Sequence, residues 1–450
     1  MAKNKTVYVC QNCGAESPKW IGHCPACKEW NTYREELITL SPGPGIARDA
    51  PRRKPGLLSG IEVNESDRIS SGIGETDRIL GGGMVRGSLI LMGGEPGIGK
   101  STLALQIALA IGGRRVLYVS GEESEGQVKL RAQRLAGSND ACYIYNETEL
   151  ESVITQAEAI RPELLIIDSV QTLSSSMLES SAGSVSQVRE CAAMLLRYAK
   201  ESGVPVILIG HITKDGSLAG PKVLEHIVDV VLQFEGDGNY LFRILRPVKN
   251  RFGSTAEIGI FEMGSGGLRE VTDPSELFIR RDREPASGVA IAATVDGLRP
   301  FMIETQALVS SAVYGTPQRS TTGFDTRRLN MLLAVLEKRA GFRLAVKDVF
   351  LNIAGGLKVS DPAIDLAVVS SVLSSGLDTP VGQQTAFAGE VGLSGEIRPV
   401  ARIEQRILEA SRMGFEQIVI SGYHKNLTEQ PGIQISRVNR VEGLVRLLFS

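Results

Sequence analysis

The feature that most constrains the fold of this chain is a glycine-rich segment between a short apolar run and a helical pattern. The segment, GEPGIGKS, covers residues 94–101 and fits GxxxxGK[ST] at every fixed position. Glycines let consecutive backbone N–H groups point at phosphate oxygens, and the N-terminus of the following helix adds a favourable dipole. The pattern therefore predicts a strand–loop–helix unit that binds a nucleoside triphosphate.

The motif also predicts a role for individual residues. We expect Lys100 to contact the β- and γ-phosphates and the hydroxyl of Ser101 to bind Mg²⁺. The expected ligands are therefore ATP and Mg²⁺. The residues predicted to contact the nucleotide are Gly94, Glu95, Pro96, Gly97, Ile98, Gly99, Lys100, Ser101 and Thr102.

Short apolar runs around this motif predict strands that are buried on both faces of a parallel sheet. They lie at 88–93, 115–120, 164–168 and 204–210. Helical patterns lie between them, at 101–111, 124–135, 147–160 and 186–201. Alternating strands and helices predict an α/β sheet with helices on both faces.

Polar side chains follow three of these strands. Asp168 ends the third strand and is predicted to hold Mg²⁺ together with Ser101. Glu122 and Glu123 follow the second strand, and one of them is expected to orient the attacking water. Glu122 is preferred, with Glu123 as the alternative. His211 follows the fourth strand and could contact the γ-phosphate or make only a structural hydrogen bond.

Four of the six cysteines lie within the first 27 residues, which indicates a metal site in a reducing compartment rather than disulfides. They form two CxxC pairs separated by ten residues: Cys10, Cys13, Cys24 and Cys27. Two such pairs predict a tetrahedral Zn²⁺ site that supplies the folding energy of a small knuckle. Trp20 and Trp30 flank the cluster, and packing is expected of them more than base stacking.

Charge and hydropathy limit the other functional classes. The N-terminus has no apolar core of a signal peptide, and no run approaches the roughly 18 apolar residues of a membrane span. We therefore expect a cytoplasmic protein without membrane contact. A net charge of -2 gives no overall basic signature, so any nucleic-acid contact must be local.

Changes in pattern divide the chain into four segments. A proline-, glycine- and arginine-rich stretch predicts a basic linker after the cysteine cluster. The pattern changes again near Pro274, where strands and then helices predict an α+β domain. The expected segments are a zinc knuckle at 1–36, the linker at 37–66, a P-loop ATPase at 67–273 and the α+β domain at 274–450.

Two further segments give the chain a family resemblance. The run from Ile69 to Thr102 and the signature KNRFG at 249–253 resemble the bacterial RadA family, also called Sms. The double CxxC and the C-terminal domain match as well. The resemblance implies a RecA-like ATPase in homologous recombination and DNA repair. It also implies a hexameric, DnaB-like ring that binds single-stranded and branched DNA and promotes branch migration with RecA.

The resemblance extends the set of candidate site residues. Lys249 and Arg251 are expected to lie beyond the core strands and to reach the γ-phosphate of a neighbouring subunit, as arginine fingers do. Lys214 and Lys222 fall in a segment that corresponds to a DNA-facing loop, although a solvated charged loop is the alternative. The predicted catalytic residues are thus Lys100, Glu122, Glu123, Asp168, Lys249 and Arg251.

The C-terminal domain resembles the proteolytic domain of Lon, which uses a serine activated by a lysine. Ala363 stands where the resemblance places the serine, and the lysine is expected to match near Glu404. A methyl group cannot attack a carbonyl, so we expect a non-proteolytic domain. The favoured function is a DNA-dependent ATPase. The alternatives are a KaiC-like assembly or signalling ATPase and, as the least favoured, an ATP-dependent protease.

Overall fold

The computed structural model describes most of the chain. The described residues are 3–11, 14–40, 57, 68–135, 137–211, 222–236, 242–280, 284–312, 316–425, 427 and 432–449. They form two compact units, Met1–Glu270 and Val271–Ser450. Among these residues, no helix has the length and apolarity needed to cross a bilayer.

The cysteine-rich segment folds as a small antiparallel sheet. Its strands are β1 Lys3–Cys10, β2 Glu16–Ser17 and β3 Tyr33–Leu40, in the order β2-β1-β3. β1 and β3 pair along their full length, from Cys10 opposite Tyr33 to Lys3 opposite Leu40. The strand pairing therefore continues to Leu40, beyond residue 36, where the linker was predicted to begin.

The ATPase segment alternates strands and helices as its sequence pattern predicts. Its elements are β4 Arg68–Ile69, α1 Gly74–Ile79, β5 Met84–Val85, β6 Leu89–Gly94, α2 Lys100–Ala110, β7 Val116–Ser120, α3 Glu125–Ala132, β8 Cys142–Asn146, α4 Leu150–Ile160, β9 Leu164–Asp168, α5 Val185–Ser202, β10 Val206–His211, α6 Lys222–Ile227, β11 Val230–Glu235, β12 Phe242–Asn250, β13 Gly259–Gly264 and β14 Gly267–Glu270.

The strands of this unit form one sheet that places the P-loop near its centre. Among the described residues, the strand order is β14-β13-β12-β11-β6-β10-β9-β7-β8. The strands from β11 to β8 are parallel, whereas β12, β13 and β14 add antiparallel strands at one side. β6, β7 and β9 are buried throughout, because separate apolar clusters cover the two faces of the sheet.

The parallel strands end at one edge, and this edge collects the predicted nucleotide residues. β6 ends at Gly94, β7 at Ser120 and β9 at Asp168. Ser120 pairs in register with Asp168, and His211 of β10 pairs with Gly94. We call this boundary of the sheet the P-loop edge.

The second unit contains a mixed sheet with helices. Its elements are α7 Pro274–Phe278, β15 Val289–Asp296, β16 Arg299–Ser311, β17 Arg319–Thr322, α8 Thr326–Ala340, β18 Lys347–Ile353, α9 Asp365–Leu377, β19 Thr385–Ala388, β20 Glu390–Val391, β21 Ile397–Arg398, α10 Ile403–Arg412, β22 Gln417–Ser421, β23 Gln434–Val438 and α11 Val441–Phe449, with 3₁₀ turns at Ala354–Gly356 and Pro362–Ile364. Among the described residues, its larger sheet has the order β17-β18-β16-β15-β19-β22-β23.

The helices predicted for this unit form with local adjustments at their ends. Asp361 precedes the 3₁₀ turn Pro362–Ile364, and α9 follows from Asp365. Asp361 does cap this turn, because its carboxylate accepts a hydrogen bond from the backbone N–H of Ala363.

Candidate functional site

The phosphate loop connects β6 to α2 and takes a conformation that depends on glycine. Gly97 and Gly99 both have left-handed backbones, with φ values of 77° and 117°. A Cβ on Gly99 would also lie only 2.8 Å from Cε of Met263, so a larger residue would distort the loop. Gly99 occupies the N-cap of α2 without a side-chain cap. The first amides of this helix are therefore available to an anionic ligand.

Lys100 is buried at the start of α2, where its solvent exposure is 3%. Its Nζ donates hydrogen bonds of 2.8 Å to the carbonyl oxygens of Gly94 and Glu95. Burial lowers the pKa of Lys100 to about 8, although the charges of Asp168, Glu122 and Glu95 oppose this shift. The ammonium group is thus held by carbonyl oxygens inside the loop, in reach of a bound phosphate.

Asp168 lies at the end of β9 and joins the P-loop to β7. Its Oδ1 accepts a hydrogen bond of 3.0 Å from Oγ of Ser101, and its Oδ2 accepts one of 2.6 Å from the hydroxyl of Tyr118. Burial and the Asp168 charge raise the pKa of Tyr118 well above its usual value, so the phenol stays protonated as a donor. Ser101 and Asp168 therefore present oxygens side by side, as an Mg²⁺ ion requires.

The two glutamates after β7 have different partners. Oε1 of Glu122 accepts a hydrogen bond of 2.8 Å from Oγ of Ser169, and the charge of Glu122 acts on Lys100. Oε1 of Glu123 accepts one of 3.1 Å from Arg131. Glu122 is therefore held beside Ser169, near enough for its charge to act on Lys100, whereas Glu123 is paired with Arg131.

Arg131 links these groups into one network. Its Nη2 donates to the hydroxyl of Tyr118 at 3.0 Å and lies 3.6 Å from Oδ2 of Asp168. The sequence analysis missed Tyr118, Arg131 and Ser169. Tyr118 carried a signal, because it is the one polar aromatic side chain in the apolar strand VLYVS. The contact of Arg131 with a residue 13 positions earlier has no such signature.

The KNRFG segment lies at the opposite edge of the sheet. Asn250 pairs with Val230, which in turn pairs with Ile90 near the start of β6. The length of β6, roughly 16 Å, separates that edge from the P-loop. Lys249 and Arg251 thus lie away from the phosphate loop of their own subunit.

Local contacts fix the conformation of this segment. Nζ of Lys249 donates to the carbonyl oxygens of Glu225 and Val228 at 2.5 and 2.7 Å. Burial and the nearby Arg251 charge lower the pKa of Lys249. Arg251 contacts the buried carboxylate of Asp229 at 3.3 Å, but 55% of its side chain is exposed. Arg251 is therefore the more accessible of the two cations.

The DNA-facing loop that the resemblance implies falls mostly outside the described residues. Lys214 lies there, and of Lys222 only the backbone is described, as the first residue of α6. His211 is likewise described only through its backbone, beside Gly94. Their predicted roles stay predictions.

The cysteine cluster fits a zinc ion. The Sγ atoms of Cys10, Cys24 and Cys27 lie within 4.8 Å of one another, and those of Cys10 and Cys27 are 3.7 Å apart. Zinc–sulfur bonds of about 2.3 Å in a tetrahedron place sulfur atoms roughly 3.8 Å apart. Cys13, the fourth predicted ligand, lies outside the described residues. Three thiolates at this spacing suit Zn²⁺.

The second unit has a cavity of 260 Å³ near the position of the missing Lon nucleophile. Its charged lining includes Asp361 and Arg406, which form a buried ion pair of 2.6 Å. Ala363 is fully buried and does not line the cavity. Glu404, near which the Lon lysine was expected, is exposed on α10 and also lies outside the lining.

Two other residues of this cavity bear on the protease alternative. Lys358 and Ser360 both line it. In the part of the chain that the structure describes, no hydrogen bond joins these two side chains. The cavity therefore keeps a polar lining without an assembled nucleophile and base.

Sequence profiles of three domain families match the chain. The AAA domain matches residues 61–217, the rubredoxin metal binding domain matches residues 8–35, and subunit ChlI of Mg-chelatase matches residues 304–423. These matches agree with an N-terminal zinc ribbon, a RecA-like P-loop ATPase core and a C-terminal Lon-like domain. They leave the roles of individual residues untested.

Whole-chain relatives carry the name DNA repair protein RadA. The Bacillus subtilis protein is 48% identical over 453 residues, which cover 99% of each chain. The Brucella abortus protein is 48% identical over 99% of this chain and 98% of its own. The Streptococcus pyogenes serotype M1 protein is 46% identical over the full length of both.

Two solved structures each align with less than half of this chain. A KaiC-like protein from Pyrococcus horikoshii aligns with a TM-score of 0.38 and 23% identity over 45% of this chain and 98% of its own. The RadB recombinase aligns with a TM-score of 0.36 and 22% identity over 45% of this chain and 99% of its own. Similarity at this level carries no argument about function. The full-length relatives do show the family, and this chain belongs to the RadA family of bacterial proteins.

Proposed function

We propose that this chain hydrolyses ATP in a DNA-dependent manner and acts in homologous recombination and DNA repair. It binds single-stranded and branched DNA and drives branch migration together with the recombinase RecA. The observation that carries this proposal is the P-loop edge, where a buried lysine, a serine–aspartate pair and a glutamate converge. The name shared by the full-length relatives supports the link to DNA repair.

The phosphate loop supplies most of the binding energy for the nucleotide. Its amides and the ammonium group of Lys100 bind the phosphate oxygens, and the phosphate charge offsets the cost of burying that cation. Mg²⁺, when held by Ser101 and Asp168, supplies charge neutralisation at the phosphates. Tyr118 and Arg131 orient the Asp168 carboxylate, Tyr118 by a direct hydrogen bond and Arg131 from 3.6 Å.

Glu122 is the residue that orients the attacking water. It is exposed at the P-loop edge, and the hydroxyl of Ser169 fixes one of its oxygens. Glu123 instead holds Arg131 in place. Ser169 and Glu123 are therefore positioning residues, and Glu122 is the general base.

The KNRFG segment acts on the neighbouring subunit of a hexameric ring. Because Arg251 is exposed at the edge opposite its own P-loop, it can reach the γ-phosphate bound by the next subunit. Lys249 holds the segment through the carbonyl oxygens of Glu225 and Val228. Lys214 and Lys222 contact the DNA backbone, so ATP state and DNA binding are coupled through the ring. The assembly works in the cytoplasm.

Phosphate release with and without single-stranded DNA, at low and high salt, tests the proposal. DNA is expected to raise turnover, and salt is expected to reduce the effect because phosphate contacts release counterions. If DNA leaves the turnover rate unchanged at every salt concentration, the KaiC-like assembly function is favoured instead.

Mixed rings test the role of Arg251 in trans. Arg251→Ala and Lys100→Ala should each be inactive alone. In a mixed ring, a Lys100→Ala subunit supplies an intact Arg251 to the intact P-loop of an Arg251→Ala subunit. Part of the ATP turnover should therefore return. A mixture as inactive as its components would mean that Arg251 acts within its own subunit.

A further inference from the structure

The zinc ribbon exposes both tryptophans of the chain. Trp20 is 54% exposed and Trp30 is 70% exposed, and the whole sequence contains no other tryptophan. Packing was expected of both, and each ring does lie against a neighbouring residue, but neither side chain is buried. Indoles this exposed are typical of contact surfaces.

The two indoles lie against consecutive residues of the ribbon, Gly22 and His23. The ring of Trp20 covers Gly22, where an added Cβ would lie 3.5 Å from its Cη2 atom. The ring of Trp30 contacts the next residue, His23, with 4.8 Å between ring centroids. We call Trp20, Gly22, His23 and Trp30 the tryptophan platform. Gly22 places no side chain beneath the ring of Trp20.

The platform is anchored to the metal site. His23 and Trp30 form an antiparallel bridge, and the backbone N–H of Asn31 donates to the carbonyl oxygen of Gly22 at 2.8 Å. The next residue, Cys24, is a predicted zinc ligand and is fully buried. Anchored rings lose little conformational freedom when a planar group stacks on them.

The charges beside the rings favour one class of partner. Lys19 precedes Trp20, and Lys28 lies in the turn that leads to Trp30; both are exposed. Glu29 is the acidic residue between Lys28 and Trp30 and is exposed as well. Open aromatic faces flanked by ammonium groups suit single-stranded nucleic acid, whose bases stack while its phosphates meet the cations.

We propose that the tryptophan platform binds single-stranded DNA by stacking bases on Trp20 and Trp30, with backbone phosphates contacted by Lys19 and Lys28. This inference rests on the proposed function, since it names a surface through which a DNA-dependent ATPase holds its strand. The ribbon then has a binding role in addition to its fold.

The chain provides its own probe for this surface. Because its only tryptophans are on the platform, the intrinsic tryptophan fluorescence of the full-length protein reports on these rings alone. Titration with oligo(dT) should quench the emission in a saturable manner. Trp20→Phe and Trp30→Phe each leave one indole, so they assign the quenching to one ring or both.

Affinity measurements on matched variants complete the test. Trp30→Ala should weaken oligo(dT) binding by about 5- to 150-fold, and Trp30→Phe should restore much of it. Tyr423→Ala removes a similarly exposed aromatic ring from the second unit and should leave the affinity unchanged. Zinc content should be equal in all variants, which shows that the ribbon remains folded.

The outcomes separate this inference from the proposed function. Suppose that DNA stimulates turnover, does not quench the tryptophan emission, and binds Trp30→Ala as tightly as it binds the wild type. The platform then does not bind DNA, and the ATPase proposal stands. Quenching by RecA but not by oligo(dT) would identify a protein-binding surface and would also overturn the inference. Quenching by oligo(dT) without any effect of DNA on turnover would support the platform and overturn the DNA-dependent ATPase.

Discussion

Two buried cations show how differently the two units use charge. Lys100 in the P-loop and Arg406 in the Lon-like cavity have the same solvent exposure, 3%. Arg406 is neutralised by Asp361 and also donates to the carbonyl oxygens of Ala293 and Ala401. Among the described residues, no carboxylate forms an ion pair with Lys100, which is held by carbonyl oxygens.

The contrast separates a binding charge from a structural one. An ion pair cancels the field of a buried cation, so Arg406 contributes to the fold and offers little to a ligand. Carbonyl oxygens stabilise an ammonium group without cancelling its charge. A phosphate that replaces water beside Lys100 therefore gains a favourable interaction with this charge.

The largest effect is expected from removing the binding charge. Lys100→Ala should lower ATP turnover on the order of 100- to 1000-fold, because the loop loses its cation at the β- and γ-phosphates. Circular dichroism should stay native, since the lost partners are two carbonyl oxygens. Lys129→Ala, at an exposed position on α3, is the control and should keep full activity. Retained turnover in Lys100→Ala would refute the P-loop assignment.

The second-largest effect is expected at the two neighbouring glutamates, whose variants should differ in ATP turnover. Glu122→Gln should reduce turnover about 100-fold or more while leaving ATP affinity nearly unchanged, because a general base acts on the water rather than on the nucleotide. Glu123→Gln should reduce turnover much less, since it weakens only the contact with Arg131. Single-turnover measurements separate the chemical step from binding. A larger loss in Glu123→Gln would reverse the assignment.

The structural charge should affect stability rather than catalysis. Arg406→Met leaves the Asp361 carboxylate largely buried without its cation, so the free energy of unfolding of the second unit should fall by about 3–5 kcal/mol. Arg398→Met breaks an exposed ion pair with Glu396 and should cost at most about 1 kcal/mol. Chemical denaturation measures both. Equal effects would mean that Asp361 does not depend on Arg406.

The smallest effect is expected from restoring the nucleophile. Ala363→Ser should give no peptide hydrolysis with or without ATP, because the position is fully buried and does not line the cavity. A fluorogenic peptide assay measures this directly, with wild type as the control. Measurable cleavage would return the protease alternative to consideration.

Short-range patterns predicted much of both units. The boundaries of β6, β7 and β9 agree with the apolar runs within one residue, since buried strands require continuous apolar side chains. The α+β class of the second unit was also predicted from its order of strands and helices. The patterns did not reveal the network of Tyr118, Arg131 and Asp168, because its members come from separate elements.

In the zinc ribbon, too, the sequence pattern predicted the local features but not those that depend on the packing of the whole fold. Spacing predicted its metal ligands, since ligand geometry depends on local turns. The exposure of Trp20 and Trp30 depends on how much core lies behind them, which spacing does not encode. The sequence interpretation therefore did not reveal how exposed these two side chains are.

By itself, the sequence determined the elements whose chemistry is local: the phosphate loop before α2, the CxxC pairs and the alternation of strands with helices. Only the tertiary structure decided which partners the two glutamates have, which edge of the sheet carries Arg251 and which buried cation is paired with a carboxylate. The physical reason is that hydrogen bonding and charge compensation depend on distances of a few ångströms between residues far apart in the chain. Those distances are set when the strands pair and the helices pack.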